Sequence, residues 1–303
     1  MMEQQRVTLA NGIELDVVDT GPRDAPVLLF LHGFPDSHRT WRHQIAHLAD
    51  RFRCVVPDQR GYRGSSKPLG VENYTSDKLI GDVFLLAHAL GIETFTIIGH
   101  DWGGAIAWGV AITGQMNGRV SRAVIANAPH PVLFPKLLYT NVQQRNASQY
   151  FRIFRDTAND ALIQQFGLGA VLIKAFGEPK QSPMMDDAER AALMADWANP
   201  EAAIAMLNWY RASPIEVLDM DAPFELPAGW TPFPLPKQTI PTLVIWAMED
   251  LALPPANLDG MDELIDDLTI ARISGASHFV QWEAPEEFNA ALDLFLAKTS
   301  GGD

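Results

Sequence analysis

The chain has 303 residues, is 47% hydrophobic and 20% charged, and carries a formal net charge of −14 with a single cysteine. That balance supplies a large apolar core, and the acidity excludes nucleic acid and anionic membrane surfaces, whose binding depends on Lys and Arg. Cys54 permits no intrachain disulfide, residues 1–6 lack a secretion signal's apolar stretch, and no apolar run reaches the roughly 20 residues of a membrane span, so a cytoplasmic monomer or homodimer is expected.

Residues 6–20 alternate apolar and polar about Asn11-Gly12, which predicts a hairpin. Pro26 to Leu31 is a continuous apolar run, the mark of a strand buried on both faces, and it ends at His32-Gly33-Phe34-Pro35. Residues 40–50 read as a helix. Phe52 to Pro57 reads as a second buried strand, running into the loop Asp58-Gln59-Arg60-Gly61-Tyr62. Ser76-Asp77 opens an amphipathic helix with apolar residues at 79, 80, 83, 84 and 87. A β-branched run, Thr94 to Ile98, then leads into Gly99-His100-Asp101-Trp102-Gly103-Gly104 and a small-residue helix. Ser121 to Ala126 is the next strand, followed by Asn127.

From 131 to 236 the pattern is helical only. Its best-marked helix has Asn199 as N-cap and Pro200 at the first position, and stops at Ser213-Pro214. Pro227 to Pro236 reads as a return linker. Strands resume at Pro241 to Trp246, followed by Glu249-Asp250, and at Thr269 to Ile273, followed by Ser277-His278, with a last helix from Pro285. Strands alternating with helices imply a mostly parallel sheet with helices on both faces. The expected organisation is a core of residues 1–130 and 237–303 with a helical cap, 131–236, inserted in it. Ligands of such sheets bind beyond the carboxyl ends of the strands, where all these loops fall.

Strand, Gly-x-Asp-x-Gly, helix resembles the nucleophile elbow of α/β-hydrolases, with aspartate in place of serine. A serine attacking saturated carbon would leave an ether that water does not cleave. A carboxylate forms an ester, whose carbonyl water can attack. Asp101 therefore suits alkylation followed by hydrolysis, as in opening an epoxide or displacing a halide. His278 is the candidate base for water, Asp250 its orienting acid, and the adjacent Glu249 the fallback. The backbone N–H groups of Phe34 and Trp102 are the candidate oxyanion donors, and Phe34–Pro35 is a candidate cis peptide bond.

His-Gly-Phe-Pro at 32–35, Asp-Gln-Arg-Gly-Tyr at 58–62, Gly-His-Asp-Trp-Gly-Gly at 99–104 and Ser-His-Phe at 277–279 resemble the epoxide hydrolases of this superfamily. The resemblance covers nearly the whole chain and implies the α/β-hydrolase fold, with a mostly parallel eight-stranded sheet and an inserted helical cap. It also implies two cap tyrosines that hold the epoxide oxygen. Leu207-Asn208-Trp209-Tyr210-Arg211 is similar to the family's tyrosine-bearing motif, and Tyr150 before Phe151 fits the other, with Tyr139 the remaining cap tyrosine. The apolar residues Phe34, Trp102, Phe154, Trp209 and Phe279 are the expected substrate contacts and suit a neutral, hydrophobic epoxide. No metal or organic cofactor is implied.

Haloalkane and haloacid dehalogenases share the triad and are the alternative. Phe34 has no side-chain donor for a halide, and Trp102 and Ala105 stand where fluoroacetate dehalogenases carry arginines. A non-enzymatic ligand-binding role on the same fold is the remote alternative.

Overall fold

The structure, a computed structural model, describes residues 4–177 and 185–299. Eight strands form one sheet: β1 (Gln4–Thr8), β2 (Glu14–Thr20), β3 (Val27–Leu31), β4 (Arg53–Pro57), β5 (Phe95–His100), β6 (Val120–Ala126), β7 (Thr242–Ala247) and β8 (Leu268–Ile273). Their spatial order is β1-β2-β4-β3-β5-β6-β7-β8. β2 runs antiparallel to β1 and β4, and the remaining pairs are parallel.

The apolar runs become strands because both faces of the sheet are covered. Every position of β4, β5 and β7 is buried. Alternate side chains feed two separate apolar clusters, with Leu29, Leu31 and Ile97 on one face and Leu28, Phe30 and Ile98 on the other. The covering helices of the core are α1 (Arg42–Leu48), α2 (Ser76–Ala89) and α3 (Asp101–Gln115) before the insertion.

Between β6 and β7 lie α4 (Leu133–Thr140), α5 (Val142–Ala147), α6 (Tyr150–Arg155), α7 (Asn159–Phe166), α8 (Leu168–Phe176), α9 (Asp187–Trp197) and α10 (Pro200–Ala212). After β7 come α11 (Met261–Leu264), α12 (Val280–Glu283) and α13 (Pro285–Thr299). α10 starts as its sequence predicts. The Asn199 side chain accepts from the Glu201 and Ala202 amides, and Pro200 fills the first helical position. Among the described residues no helix is long and apolar enough to cross a membrane.

One feature of the strand order positions the site. β3 has β4 on one side and β5 on the other, so the chain's progression across the sheet reverses there. Leu31 pairs with Gly99, and the loops that leave β3 and β5 therefore open side by side at the carboxyl edge.

Candidate active site

Asp101 sits at the turn from β5 into α3 with φ of +51°, a left-handed conformation that costs a non-glycine residue energy and is held by its surroundings. The turn is too tight for side chains at its flanks. A Cβ on Gly99 would lie 2.4 Å from the Gly103 carbonyl oxygen, and one on Gly103 would lie 2.3 Å from the Leu31 and His32 carbonyl oxygens. Across the crevice, a Cβ on Gly33 would meet the Asp101 side chain at 2.5 Å. The Phe34–Pro35 bond is cis.

The Phe34 N–H donates to Asp101 Oδ1 at 2.7 Å, and the Trp102 N–H also hydrogen-bonds this carboxylate. Asp101 Oδ2 faces His278 Nε2 at 3.5 Å. On the far side of the ring, His278 Nδ1 lies 2.8 Å from Asp250 Oδ2. Asp250 is fixed in turn. Its Oδ1 accepts from the Ala252 and Leu253 amides at 2.8 and 3.0 Å, and its Oδ2 accepts from Asn127 Nδ2 at 2.7 Å. Glu249, its exposed neighbour, points away and accepts from the Gly275 amide at 2.8 Å.

Charge follows from this arrangement. Burial works against ionising Asp101 and Asp250, but His278 and the surrounding N–H donors hold both below the usual carboxylate range. Burial likewise works against the His278 imidazolium, yet the Asp250 charge and the bonds to Asp101 and Asp250 raise its pKa well above 6.5. The resting histidine is thus a cation between two carboxylates. The Asp101 and His278 side chains are 12% and 19% exposed, which leaves the reacting atoms open to a small solute.

The insertion closes over this triad with aromatic rings. Tyr150, on α6, and Tyr210, on α10, lie with ring centroids 6.0 Å apart. Burial, then the charges of Asp101 and Asp250, push Tyr150 well above the ordinary 10.0. Burial, then Tyr150 and Asp101, do the same for Tyr210. Both phenols therefore remain protonated and able to donate. Tyr210 packs against Phe34, Trp102 and Phe154 at 5.0, 5.1 and 4.9 Å. Phe279 lies on the other side, 5.1 Å from the His278 ring.

Tyr139 lies apart from this cluster, and Trp209 reaches it through its ring, edge-on to Trp102 at 6.1 Å. Tyr139 donates to Glu216 at 2.7 Å, and the Trp209 N–H turns to the core loop, donating to the Arg60 carbonyl at 3.0 Å. Two residues went unassigned in the sequence. Phe151 packs on Tyr210 at 4.9 Å and Trp102 at 6.2 Å, and Asn127 holds Asp250. Asn127 carried a usable signal, because it directly follows a strand as Asp101 does. Among the described residues no group of three or more His, Cys, Asp or Glu is arranged to hold a metal ion.

The fold and the elbow define an α/β-hydrolase with a carboxylate in the nucleophile's place. Residues 26–285 match the α/β-hydrolase fold family. Epoxide hydrolase 1 of Caenorhabditis elegans is 32% identical over 295 residues, spanning 94% of this chain and 68% of its own length. A solved structure from work on novel epoxide hydrolases in metagenomes from hot environments is 64% identical, with a TM-score of 0.95 over 98% of this chain and 99% of that one. A Bacillus megaterium epoxide hydrolase mutant, solved with its product (R)-3-[1]naphthyloxy-propane-1,2-diol, is 32% identical, with a TM-score of 0.84 over 97% of this chain and all of that one. The chain belongs to the α/β-hydrolase fold family and, within it, to the epoxide hydrolases.

Proposed function

We propose that the protein hydrolyses a neutral, hydrophobic epoxide to a vicinal diol through an ester on Asp101, with the inserted helices as its cap. The observation that carries this reading is the pairing of an elbow carboxylate with two buried, protonated phenols. An epoxide oxygen leaves as an alkoxide, a strong base, and needs such an acid. A halide does not.

In the first step Asp101 Oδ2 bonds to a ring carbon as the ring C–O bond breaks. The electron pair goes to the ring oxygen, which takes a proton from Tyr150 or Tyr210. Oδ1 becomes the ester carbonyl oxygen and keeps its bond from the Phe34 amide. Esterification also removes one of the two negative charges that hold the His278 proton; that proton passes through solvent to the phenolate, which restores the phenol and leaves the neutral base the second step requires. His278 then takes a proton from water as the water oxygen attacks the ester carbon. The Phe34 and Trp102 amides stabilise the oxyanion on Oδ1. Collapse frees the diol oxygen, which receives the proton from His278. The second water proton, left on the Asp101 carboxyl, passes to His278 and restores the resting carboxylate and imidazolium.

Phe34, Trp102, Phe151 and Phe154 favour an apolar substituent on the epoxide. The buried free thiol of Cys54 suits a reducing compartment, and we propose a cytoplasmic monomer or homodimer.

With styrene oxide, the wild type is expected to release the diol. His278→Gln is expected to accumulate a stable adduct on the Asp101 peptide, seen by mass spectrometry. Absence of the adduct, with halide released from a bromoalkane by the wild type, sinks the epoxide reading.

A further inference from the structure

Trp209 neighbours Tyr210 on α10, and the two share one partner, the Trp102 ring, which they meet edge-on at 6.1 and 5.1 Å. Adjacent helical side chains point about 100° apart. Beyond Trp102, Tyr210 therefore turns to Phe34 and Phe154, and Trp209 to the loop after β4. There the indole N–H donates to the Arg60 carbonyl at 3.0 Å, and the ring meets Tyr62 edge-on at 5.5 Å. Trp209 is 1% exposed.

The carbonyl it grips is itself braced. The Arg60 guanidinium makes a two-pronged buried pair with Asp82 of α2, at 2.7 Å from Nε and 2.6 Å from Nη2. A third bond, from Nη1 to the Asn73 carbonyl, measures 2.7 Å. A buried planar fork of this kind fixes orientation as well as charge. The chain of contacts runs from a core helix, through a core loop, to the helix that carries Tyr210.

Resting on the epoxide reading above, we propose that Trp209 is a positioning residue. Its bond to the braced Arg60 carbonyl sets the rotation of α10 and so aims the Tyr210 phenol at the epoxide oxygen. Leverage makes this pin consequential. A phenol oxygen stands roughly 8 Å from its helix axis, so a roll of about 10° moves it about 1.4 Å. Misplacement of about 1 Å can slow a reaction on the order of 100-fold.

The two chemical steps separate this role from general support of the structure. Tyr210 acts when the ring opens. His278 and the Phe34 and Trp102 amides act when the ester is hydrolysed. Rapid-quench mass spectrometry with styrene oxide follows formation and decay of the Asp101 adduct separately. In Trp209→Phe, formation is expected to slow about 10- to 100-fold while decay stays within about twofold of wild type. Trp209→Tyr, which returns a donor at the ring's edge, is expected to recover part of the formation rate. Formation at the wild-type rate in Trp209→Phe overturns the proposal. So does equal slowing of both steps, or a raised KM with formation unchanged, which marks a pocket wall. If the wild type forms no adduct, the epoxide reading fails and takes this inference with it.

Discussion

Asn127 shows how much a neutral side chain contributes to the triad. It ends β6 with φ of +38°, a conformation asparagine tolerates better than most residues. Its amide donates to Asp250 Oδ2, and its own Oδ1 accepts from the Ala247 amide at 2.9 Å. With the Ala252 and Leu253 amides on Oδ1 and His278 on Oδ2, the Asp250 carboxylate meets four donors in a buried site. Such saturation keeps it ionised and stationary. Asn127→Ala removes one donor from the oxygen that faces His278. That oxygen becomes more basic and holds the imidazolium more firmly. Adduct decay is expected to slow about tenfold with formation unchanged, and the acid limb of the decay rate is expected to move to higher pH. An unchanged decay profile would refute the role. In the sequence nothing beyond its place after a strand marks Asn127 as the donor to Asp250, because which oxygen an amide faces is decided in three dimensions. Glu249 and Asp250 pose the same difficulty. Both follow β7, and only the folded chain turns Asp250 toward His278 and Glu249 toward Gly275. Asp101 and His278 were legible because a tight glycine turn and a position after the last strand leave each side chain little choice.

Neighbouring helices of the insertion are held in opposite ways. α10 buries eight of its residues. α9 buries none of its eleven. Its attachment is polar: Arg39 pairs with Glu189 at 2.6 Å and Asp196 at 2.7 Å, Arg63 with Asp196 at 3.4 Å, and the Trp197 indole donates to the Pro35 carbonyl at 2.8 Å. Partly exposed ion pairs contribute little each and weaken with salt, whereas buried apolar area does not. α9 is therefore expected to open locally far more readily than α10. Hydrogen exchange should proceed faster across 187–197 than across 200–212. Added salt or Arg39→Gln should speed it further in α9 alone. Equal protection of the two helices would overturn this. The same contrast explains what the sequence revealed of the fold. Parallel strands announce themselves as apolar runs, and α10 by its Asn-Pro start. α9 has a sound cap, with Asp186 accepting from the Glu189 amide, but no apolar stripe. The short helices α4–α8 pack by contacts among themselves that no single segment encodes.

At the scale of the whole molecule, the core encloses titratable groups whose balance sets the response to acid. His32, His100 and His130 are buried, and burial pulls each down to about 4 from 6.5. Burial keeps each neutral: the Gln59 amide donates to His32 Nε2 at 3.1 Å and the Val132 amide to His130 Nδ1 at 3.2 Å, while the His278 carbonyl, 2.7 Å from His100 Nε2, opposes the lowering without overcoming it. Between pH 6.5 and 4 the unfolded chain binds these protons and the folded chain does not, so their contribution to stability is lost as pH falls through that window. Asp36 opposes them. Burial raises its carboxyl to about 6 from 3.8, so the folded chain takes up that proton first and gains stability as pH falls from about 6. Asp101 and Asp250, both depressed, weaken the fold only below the usual carboxylate range. His278 acts at the other end. Its raised pKa contributes stability that is full below 6.5 and is lost as pH rises through the folded value. Stability is thus expected to peak near neutrality. Three histidines against one carboxyl leave a net uptake of about two protons on unfolding near pH 5. Each proton is worth about 1.4 kcal/mol per pH unit at most, so the unfolding free energy should fall by about 2–3 kcal/mol per unit there. Urea titrations at pH 7, 6, 5 and 4 measure that slope, and a flat profile would contradict the assignment. His130 packs on Trp108 at 4.9 Å, away from the triad. His130→Asn should therefore reduce the slope by about one proton's worth while leaving the rates of adduct formation and decay unchanged.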